Sequence, residues 1–341
     1  MRPKLHKHLV KELCWRKGPD GLFKNELFWM EGTKDLEGFE GSFCYGFVKE
    51  DGKLFPQDGH IIHPFDTVLA FVSINTDDIL DLGATISIEI GEERETYTFN
   101  QSYIVALPKG TQYGNITVSG LKHPFAFYNI YMAAEYSALA IPSSELKDPV
   151  PGSEKYKTYP HIYTWDVDDS GAIKHDGGAI DYDGSGMGYT KLADSRGVMH
   201  PLQNAGPDGM GPANAYSLLW IFGDQMQGFE LNTLWGHYSN CGIWHRGGEQ
   251  HTHPNEEVLV VVGMDPDDPE NIGAEIEIGM GPEDERHFSS KSSVWICPKN
   301  FEHLPEITRW VQRPYAFFVI NNDGTHDSPW KDEEGNRIEH E

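Results

Sequence analysis

Long hydrophobic runs are absent: no stretch of eighteen or more apolar residues occurs in the 341 residues. A membrane-spanning helix needs about 20 such residues, so the sequence predicts no span of this kind. The beginning of the chain is basic but lacks the apolar segment that follows the basic start of a secretion signal. We therefore expect a cytoplasmic protein.

Cysteine is scarce and widely spaced, with Cys14, Cys44, Cys241 and Cys297 forming no CxxC pair. This spacing lacks the paired cysteines of common zinc and redox motifs. Two disulfides are formally possible, but we expect buried or free thiols in a reducing compartment.

Basic residues are also few: 27 Lys and Arg stand against 53 Asp and Glu, which gives a net charge of -26 at pH 7. A field of this sign repels nucleic acid and anionic membranes, so neither is expected as a partner. The charge favours solubility and does not restrict a small substrate, because the local charge of a pocket can differ from the mean.

The chain contains an internal duplication without gaps between positions 38 and 130. Gly38 recurs as Gly228, which sets a shift of 190 positions. At this shift the following segments coincide: Gly38-Phe39-Glu40 with Gly228-Phe229-Glu230, His63-Pro64 with His253-Pro254, Gly83-Ala84 with Gly273-Ala274, and Pro108-Lys109 with Pro298-Lys299. One tripeptide could match by chance, but a series at one shift indicates two copies of one unit.

Each copy has the pattern of short β-strands. Residues 84–90 and 274–278 alternate between apolar and polar side chains, as strands with one buried face do. Residues 258–262 form a continuous β-branched run, typical of a strand covered on both faces. With 36 Gly and 21 Pro to supply turns, the sequence predicts an all-β fold of two tandem sandwiches or barrels, such as jelly rolls.

We expect an N-terminal barrel over residues 1–140, a connection over 141–211, a C-terminal barrel over 212–330 and a charged tail over 331–341. The connection contains a Gly- and Asp-rich stretch from His175 to Tyr189. It is either a surface link between the barrels or a loop that covers one barrel mouth. The sequence leaves both interpretations open.

Metal-ligating residue types gather in the second copy, in the segment GGEQHTHPNEEVLVVVG. Residues two apart on a strand share a face, so His251, His253 and Glu257 would point into the barrel while Glu256 points away. His303, further along the chain, is a fourth candidate ligand.

These residues resemble the two motifs of the cupin superfamily. His251-x-His253-x3-Glu257 with a later glycine is similar to the first motif, and Pro298-x-Asn300-x2-His303 to the second, with Asn300 at a usual glycine position. The resemblance implies two jelly-roll barrels and one divalent metal per chain, held by three imidazoles and a carboxylate. Asn300 falls in a turn, where asparagine tolerates unusual backbone angles.

Three imidazoles and one carboxylate suit several divalent ions, and an octahedral ion would keep two positions open for substrate and water. We favour Mn or Fe(II), with Zn possible, and expect no organic cofactor.

The first copy lacks this ligand set. His63 matches His253, but Ile61, Thr67 and Tyr113 stand where His251, Glu257 and His303 would be. One ligand of four cannot hold a metal, so we expect the N-terminal barrel to be structural, or to shape the other barrel and a homo-oligomer.

Further polar residues lie near the motifs in sequence. His245 and Glu302 are candidate proton-transfer groups, although His245 fits a surface hairpin equally well. Arg246, Trp295 and His237 are candidate substrate contacts, although tryptophans of this kind are more often core residues.

Cupins support many chemistries, so three functions stay open. The first is an oxygen-independent metalloenzyme that hydrolyses a C–C bond, isomerises or decarboxylates. The second is an Fe(II) ring-cleaving dioxygenase of the gentisate type, which typically lacks the Glu ligand and carries its site in the first barrel. The third is a non-catalytic two-cupin protein. The chain is also similar to manganese cupins that open the ring of dihydrophloroglucinol, which implies a hydrolase acting on a cyclic 1,3-diketone in polyphenol breakdown.

Overall fold

The computed structural model describes residues 4–19, 22–55, 58–153, 155, 162–164, 198–199, 215–221, 226, 228–243 and 250–324. The chain divides into two compact units. Cys14–Thr164 forms the first barrel, and Met1–Leu13 together with Trp165–Glu341 forms the second barrel.

Helices are few and short among the described residues. Those described are the 3-10 turns Lys7–Leu9 and Ser143–Glu145 and the α-helical turn α1, Gly32–Asp35.

Strands are numbered along the chain. Those of the first barrel are β2 Trp15–Arg16, β3 Leu27–Glu31, β4 Ser42–Val48, β5 Gly52–Lys53, β6 Gly59–Ile62, β7 Thr67–Val72, β8 Asp81–Ile90, β9 Glu95–Gln101, β10 Tyr103–Leu107, β11 Gln112–Ser119, β12 Phe125–Tyr131, β13 Leu139–Pro142 and β14 Ile162–Thr164. Those of the second barrel are β1 Val10–Glu12, β15 Val198–Met199, β16 Ala215–Ile221, β17 Asn232–Tyr238, β18 Gly242–Ile243, β19 Glu257–Gly263, β20 Asn271–Met280, β21 Glu285–Lys291, β22 Ser293–Cys297, β23 His303–Val311 and β24 Tyr315–Asn321.

Each barrel is made from two antiparallel sheets. In the first barrel, one sheet has the order β14-β10-β7-β12-β4-β3-β2, and the other has the order β13-β6-β11-β8-β9 with β5 beside β11. In the second barrel, one sheet has the order β1-β22-β19-β24-β17-β16-β15, and the other has the order β18-β23-β20-β21. The predicted all-β fold of two barrels is confirmed.

The apolar alternation seen in the sequence forms the core. Along β8, Ile86, Ile88 and Ile90 are fully buried while the residues between them are partly exposed. Their counterparts on β20, Ile276 and Ile278, are also fully buried, although Glu277 between them is buried too. Period-two burial of this kind places one face of each strand against the opposite sheet.

The boundaries of the barrels differ from the expected ones. Strand β1 pairs with β22 of the second barrel, so residues 10–12 do not belong to the N-terminal barrel. Strands β13 and β14 extend the first barrel into the segment expected to be a connection, and β15 extends the second barrel before residue 212. These strands lie outside the duplicated unit, so comparison of the two copies could not reveal them.

The Gly- and Asp-rich stretch 175–189 and the charged tail 331–341 lie outside the described residues, so both interpretations of the connection stay predictions. All four cysteines are free thiols, as expected. In the described part of the chain, no helix has the length and apolarity needed to cross a membrane.

Candidate metal centre

The four predicted ligands come together inside the second barrel. His251, His253, Glu257 and His303 are all buried, and their ligand atoms lie within 4.8 Å of one another. Glu257 is the first residue of β19 and His303 the first of β23, so the site spans both sheets. The backbones of His251 and His303 exchange two hydrogen bonds of 3.1 Å, which fixes the histidine-bearing loop against β23.

The spacing of the ligand atoms suits the binding of one ion. Nε2 of His251 lies 3.0 Å from Nε2 of His253, and Oε2 of Glu257 lies 3.1 Å from Nε2 of both His253 and His303. With ligand-to-metal bonds of about 2.0–2.2 Å, ligand atoms at right angles are roughly 2.8–3.1 Å apart, and those at tetrahedral angles roughly 3.3–3.6 Å. The three short distances place these atoms close enough for one ion to bind between them, and the donor set of three imidazoles and a carboxylate suits Mn or Fe(II).

Two of these atoms face each other as an ion pair without a well-aligned hydrogen bond. Oε2 of Glu257 and Nε2 of His303 are completely buried and lie 3.1 Å apart, and neither makes a hydrogen bond of good geometry to a described residue. Buried polar atoms are costly unless they are paired or bind an ion. Both atoms point at the centre of the cluster, so the four residues fit a divalent metal.

The electrostatics of the cluster couple proton and metal binding. Burial alone would raise the pKa of Glu257, but His253 and His303 outweigh it and hold this pKa well below its usual value. Burial lowers the pKa of His303, but Cys297 and Glu257 outweigh it and raise this pKa to about 9. A metal takes the place of the His303 proton, because imidazole ligates in its neutral form.

Surrounding groups orient the ligands. Nδ1 of His303 donates to the carbonyl of Phe301 at 3.0 Å, which leaves Nε2 directed into the cluster. Asn321 donates from Nδ2 to Oε1 of Glu257 at 3.2 Å. Asn300 adopts a left-handed φ of 59°, as its turn position predicted, and its N–H donates to the carbonyl of His253 at 2.7 Å.

Strand parity selected the correct glutamate for the cluster. Glu257 is buried within it, while Glu256 is half-buried and does not join it. In the register of the sheet, Glu257 lies opposite both Asn321 and Cys297, so all three share the inner face.

Glu306 is a residue that sequence reasoning missed. It lies opposite the inward-facing Ile278 and is 1% exposed. Its Oε1 has no hydrogen-bond partner among the described residues. Burial, reinforced by the charge of Glu257, raises the pKa of Glu306 well above its usual value.

A bulge explains why simple alternation fails for Glu306. His303 lies opposite Met280, whereas Glu306 lies opposite Ile278. Strand β23 therefore advances by three residues where β20 advances by two. The extra residue inverts the alternation beyond the metal ligand. Pro305 in the middle of this strand was the one available signal of the bulge.

Two other predicted site residues, Trp295 and His237, lie on opposite faces of the sheet that carries Glu257. Trp295 is fully buried and lies opposite Leu259, on the same sheet face as Glu257. His237 lies on the opposite face from the cluster, where its Nε2 accepts from Nε1 of Trp235 at 3.1 Å. The structure therefore brings Trp295 to the barrel interior and does not bring His237 there.

Glu302 precedes His303 in the turn, is half-buried, and accepts the N–H of Gly281 through its backbone carbonyl. It is not one of the four residues of the cluster. His245 and Arg246 lie outside the described residues, so their proposed roles stay predictions.

The equivalent position in the first barrel holds no metal-ligating cluster among the residues described there. His63 is buried, and burial lowers its pKa to about 4. Its Nε2 lies 3.1 Å from the hydroxyl of Tyr113, and its Nδ1 lies 3.0 Å from the carbonyl of Ser137. The asymmetry predicted from the sequence is thus present in the side chains.

No family model and no curated protein matches the chain. Solved structures of the oxalate decarboxylase from Bacillus subtilis are similar. A tryptophan-to-phenylalanine variant and the structure at pH 4.6 both give a TM-score of 0.52 at 11% identity. Each covers 94% of this chain, and the aligned part amounts to 78% and 77% of the decarboxylase chain respectively. A likeness at this identity concerns the fold, and the fold of this chain is the two-barrel cupin fold.

Proposed function

We propose that the second barrel catalyses metal-dependent, non-oxidative cleavage of a C–C bond next to a carbonyl group in a small oxygenated substrate. The observation that carries this proposal is the pairing of the cluster with Glu306 on the same inner face, a buried carboxyl whose Oε1 has no hydrogen-bond partner among the described residues. Such cleavage leaves electrons on carbon, and it requires both charge stabilisation and a proton.

The residues of the chain divide this work between them. His251, His253, Glu257 and His303 would hold the metal, which supplies Lewis acidity to a substrate oxygen when bound. Glu306 supplies the proton to the carbon released by cleavage. Its burial keeps the proton available at neutral pH, because ionisation in this interior is costly. Trp295, fully buried on the same inner face, adds apolar surface to this interior.

Decarboxylation is the first candidate reaction in this class. It needs a proton donor but no water as reactant, which agrees with a neutral carboxylic acid inside the barrel. The two-barrel decarboxylases that share this fold show that the architecture can host such a reaction. Three neutral imidazoles and one carboxylate leave a divalent ion with net positive charge, which attracts a carboxylate substrate.

Hydrolytic ring opening of a cyclic 1,3-diketone, such as dihydrophloroglucinol, is the second candidate. It uses the same proton delivery but adds water to the carbonyl carbon. The described residues of the barrel interior include no lysine or arginine, an environment that accepts a neutral diketone.

The test is an anaerobic assay of the full chain loaded with Mn(II). Oxalate, oxaloacetate, 1,3-cyclohexanedione and dihydrophloroglucinol are the substrates, and carbon dioxide and ring-opened acids are measured. Carbon dioxide from a carboxylate substrate supports decarboxylation, and a ring-opened acid supports hydrolysis. Turnover that starts only on addition of oxygen, with oxygen consumed one for one, would contradict both and favour a dioxygenase. The His253→Ala variant is the control for metal-independent background.

A further inference from the structure

The mouth of the first barrel contains a cavity of about 410 Å³. It lies where the second barrel carries its metal cluster: Ile61 and Tyr113, at the positions of His251 and His303, both line it. Cavities of about 300–1,000 Å³ are typical of small-molecule sites. We propose that this cavity binds a small, neutral, aromatic molecule, independently of the reaction in the second barrel.

The walls of the cavity are mainly apolar. Phe55, Ile61 and Tyr113 lie on the inner side, and Tyr136 and Ala140 lie on the side formed by the chain around β13. Strand β13 pairs with β6 so that Ala140 lies opposite Ile61, which sets the width of the opening. An apolar molecule in this space would bury its own surface and that of the walls.

The aromatic side chains favour a flat ring. Phe55 and Tyr113 contact edge to face with centroids 6.3 Å apart, and Tyr131 and Tyr136 do so at 5.0 Å. His63 packs edge to face against Tyr136 at 5.3 Å. A further ring placed among these groups can adopt the same edge-to-face geometry. This geometry contributes binding free energy beyond that from the burial of apolar area.

The polar groups in the walls exclude an anion. The ring of His60 is held on both sides, by Glu89 at 3.0 Å from Nε2 and by Gln112 at 2.9 Å from Nδ1. No lysine or arginine occurs among the described residues that line the cavity. Asp58 at the rim and the net charge of -26 add repulsion to any carboxylate.

The Tyr113 hydroxyl is not available to a ligand. Nδ1 of His63 donates to the carbonyl of Ser137, so Nε2 is the acceptor and Tyr113 donates its proton to it. Tyr113 is also fully buried. The matching ligand is therefore a neutral aromatic ring that needs no hydrogen bond from this wall.

The experiment titrates the full chain with 2-naphthol, a neutral fluorescent phenol, and with 2-naphthoate as the anionic comparison. We expect saturable binding of one 2-naphthol per chain and binding of 2-naphthoate weaker by about tenfold or more, because the walls offer no positive charge. Absence of saturable 2-naphthol binding, or equal affinity for the two probes, would overturn the proposal.

Two matched variants on β13 locate the site. Ala140→Trp places an indole in the cavity and should weaken 2-naphthol binding by about tenfold or more. Leu139→Trp changes the neighbouring residue, which is 64% exposed and does not line the cavity, and should leave binding within about twofold of the parent. Equal loss in both variants would overturn the assignment.

His253→Ala tests whether the probe binds in the second barrel instead. Because the described residues that line the cavity all belong to the first barrel, 2-naphthol affinity should not change in this variant. Loss of binding in His253→Ala would assign the probe to the metal centre and overturn the proposal.

Discussion

The two barrels differ in their interiors by more than the metal ligands. At matched positions the second barrel has Cys297, Glu306, Thr308 and Asn321, and the first has Leu107, Ile116, Val118 and Tyr131, all of them buried. Polar groups of the second interior contact the ligands directly, as Asn321 does with Glu257. A metal centre in this fold therefore depends on a whole polar interior, and its loss in one copy accompanies conversion of that interior to a conventional apolar core.

Removal of one matched histidine from each barrel should give the largest difference in metal content and activity. His253→Ala should abolish metal binding and activity, because it removes one of four ligands and one of the two imidazoles that face the buried Glu257 carboxylate. His63→Ala should leave the metal content near one ion per chain. Elemental analysis of both purified variants measures this, and two tightly bound ions in the parent protein would contradict the predicted asymmetry.

Glu306 tests whether the polar interior contributes to catalysis as well as to metal binding. Glu306→Gln should lower turnover by about 10²–10⁴-fold, the usual contribution of a positioned proton donor, while metal content stays unchanged. Glu302→Gln, a change at a half-buried residue outside the cluster, is the control and should remain near parent activity. Steady-state rates with parallel metal analysis measure both variants. A large loss of turnover in Glu302→Gln alone would indicate that Glu302, and not Glu306, is the proton donor.

Adjacent glutamates provide the next comparison. Glu257→Gln should weaken metal affinity by about 10- to 100-fold or more, because an amide oxygen replaces a charged ligand. Glu256→Gln should have little effect, since Glu256 lies outside the cluster. Competition with a chelator gives the affinities, and the opposite ranking would show that the register around residue 257 is different.

The pH dependence of metal affinity should show the most gradual effect, spread over two pH units. Protonated His303, whose pKa is raised to about 9, stabilises the metal-free fold. This contribution is complete below the ordinary histidine pKa and is lost as the pH rises through 9. Because the metal must displace this proton, affinity should rise by up to about tenfold per pH unit between pH 7 and 9. Calorimetry in buffers of different ionisation enthalpy should detect proton release, and affinity that stays constant across this range would contradict the coupling.

The sequence was sufficient for the fold and the ligand set, because both depend on regular features. Duplication at one shift defined two units, and period-two patterns defined their strands. His251 and His253 precede β19 in the structure, yet the bridge between His251 and His303 keeps them directed at Glu257 as alternation predicted.

The remaining features arise from irregularities and from non-local packing. The bulge that turns Glu306 inward breaks the alternation on which sequence reasoning relies. His237 was selected for proximity in sequence, but the register of β17 and β24 places it on the far face of the sheet. Neither the bulge nor the register can be read from residue order alone.

The pairing of β1 with β22 has a consequence for synthesis of the chain. Residues 10–12 are translated well before their partner, Ser293–Cys297. The second barrel can therefore be completed only after Ser293–Cys297 has been made, whereas Cys14–Thr164 can fold before that point. Until then β1 has no partner strand, and its unpaired edge is open to pairing with the wrong strand.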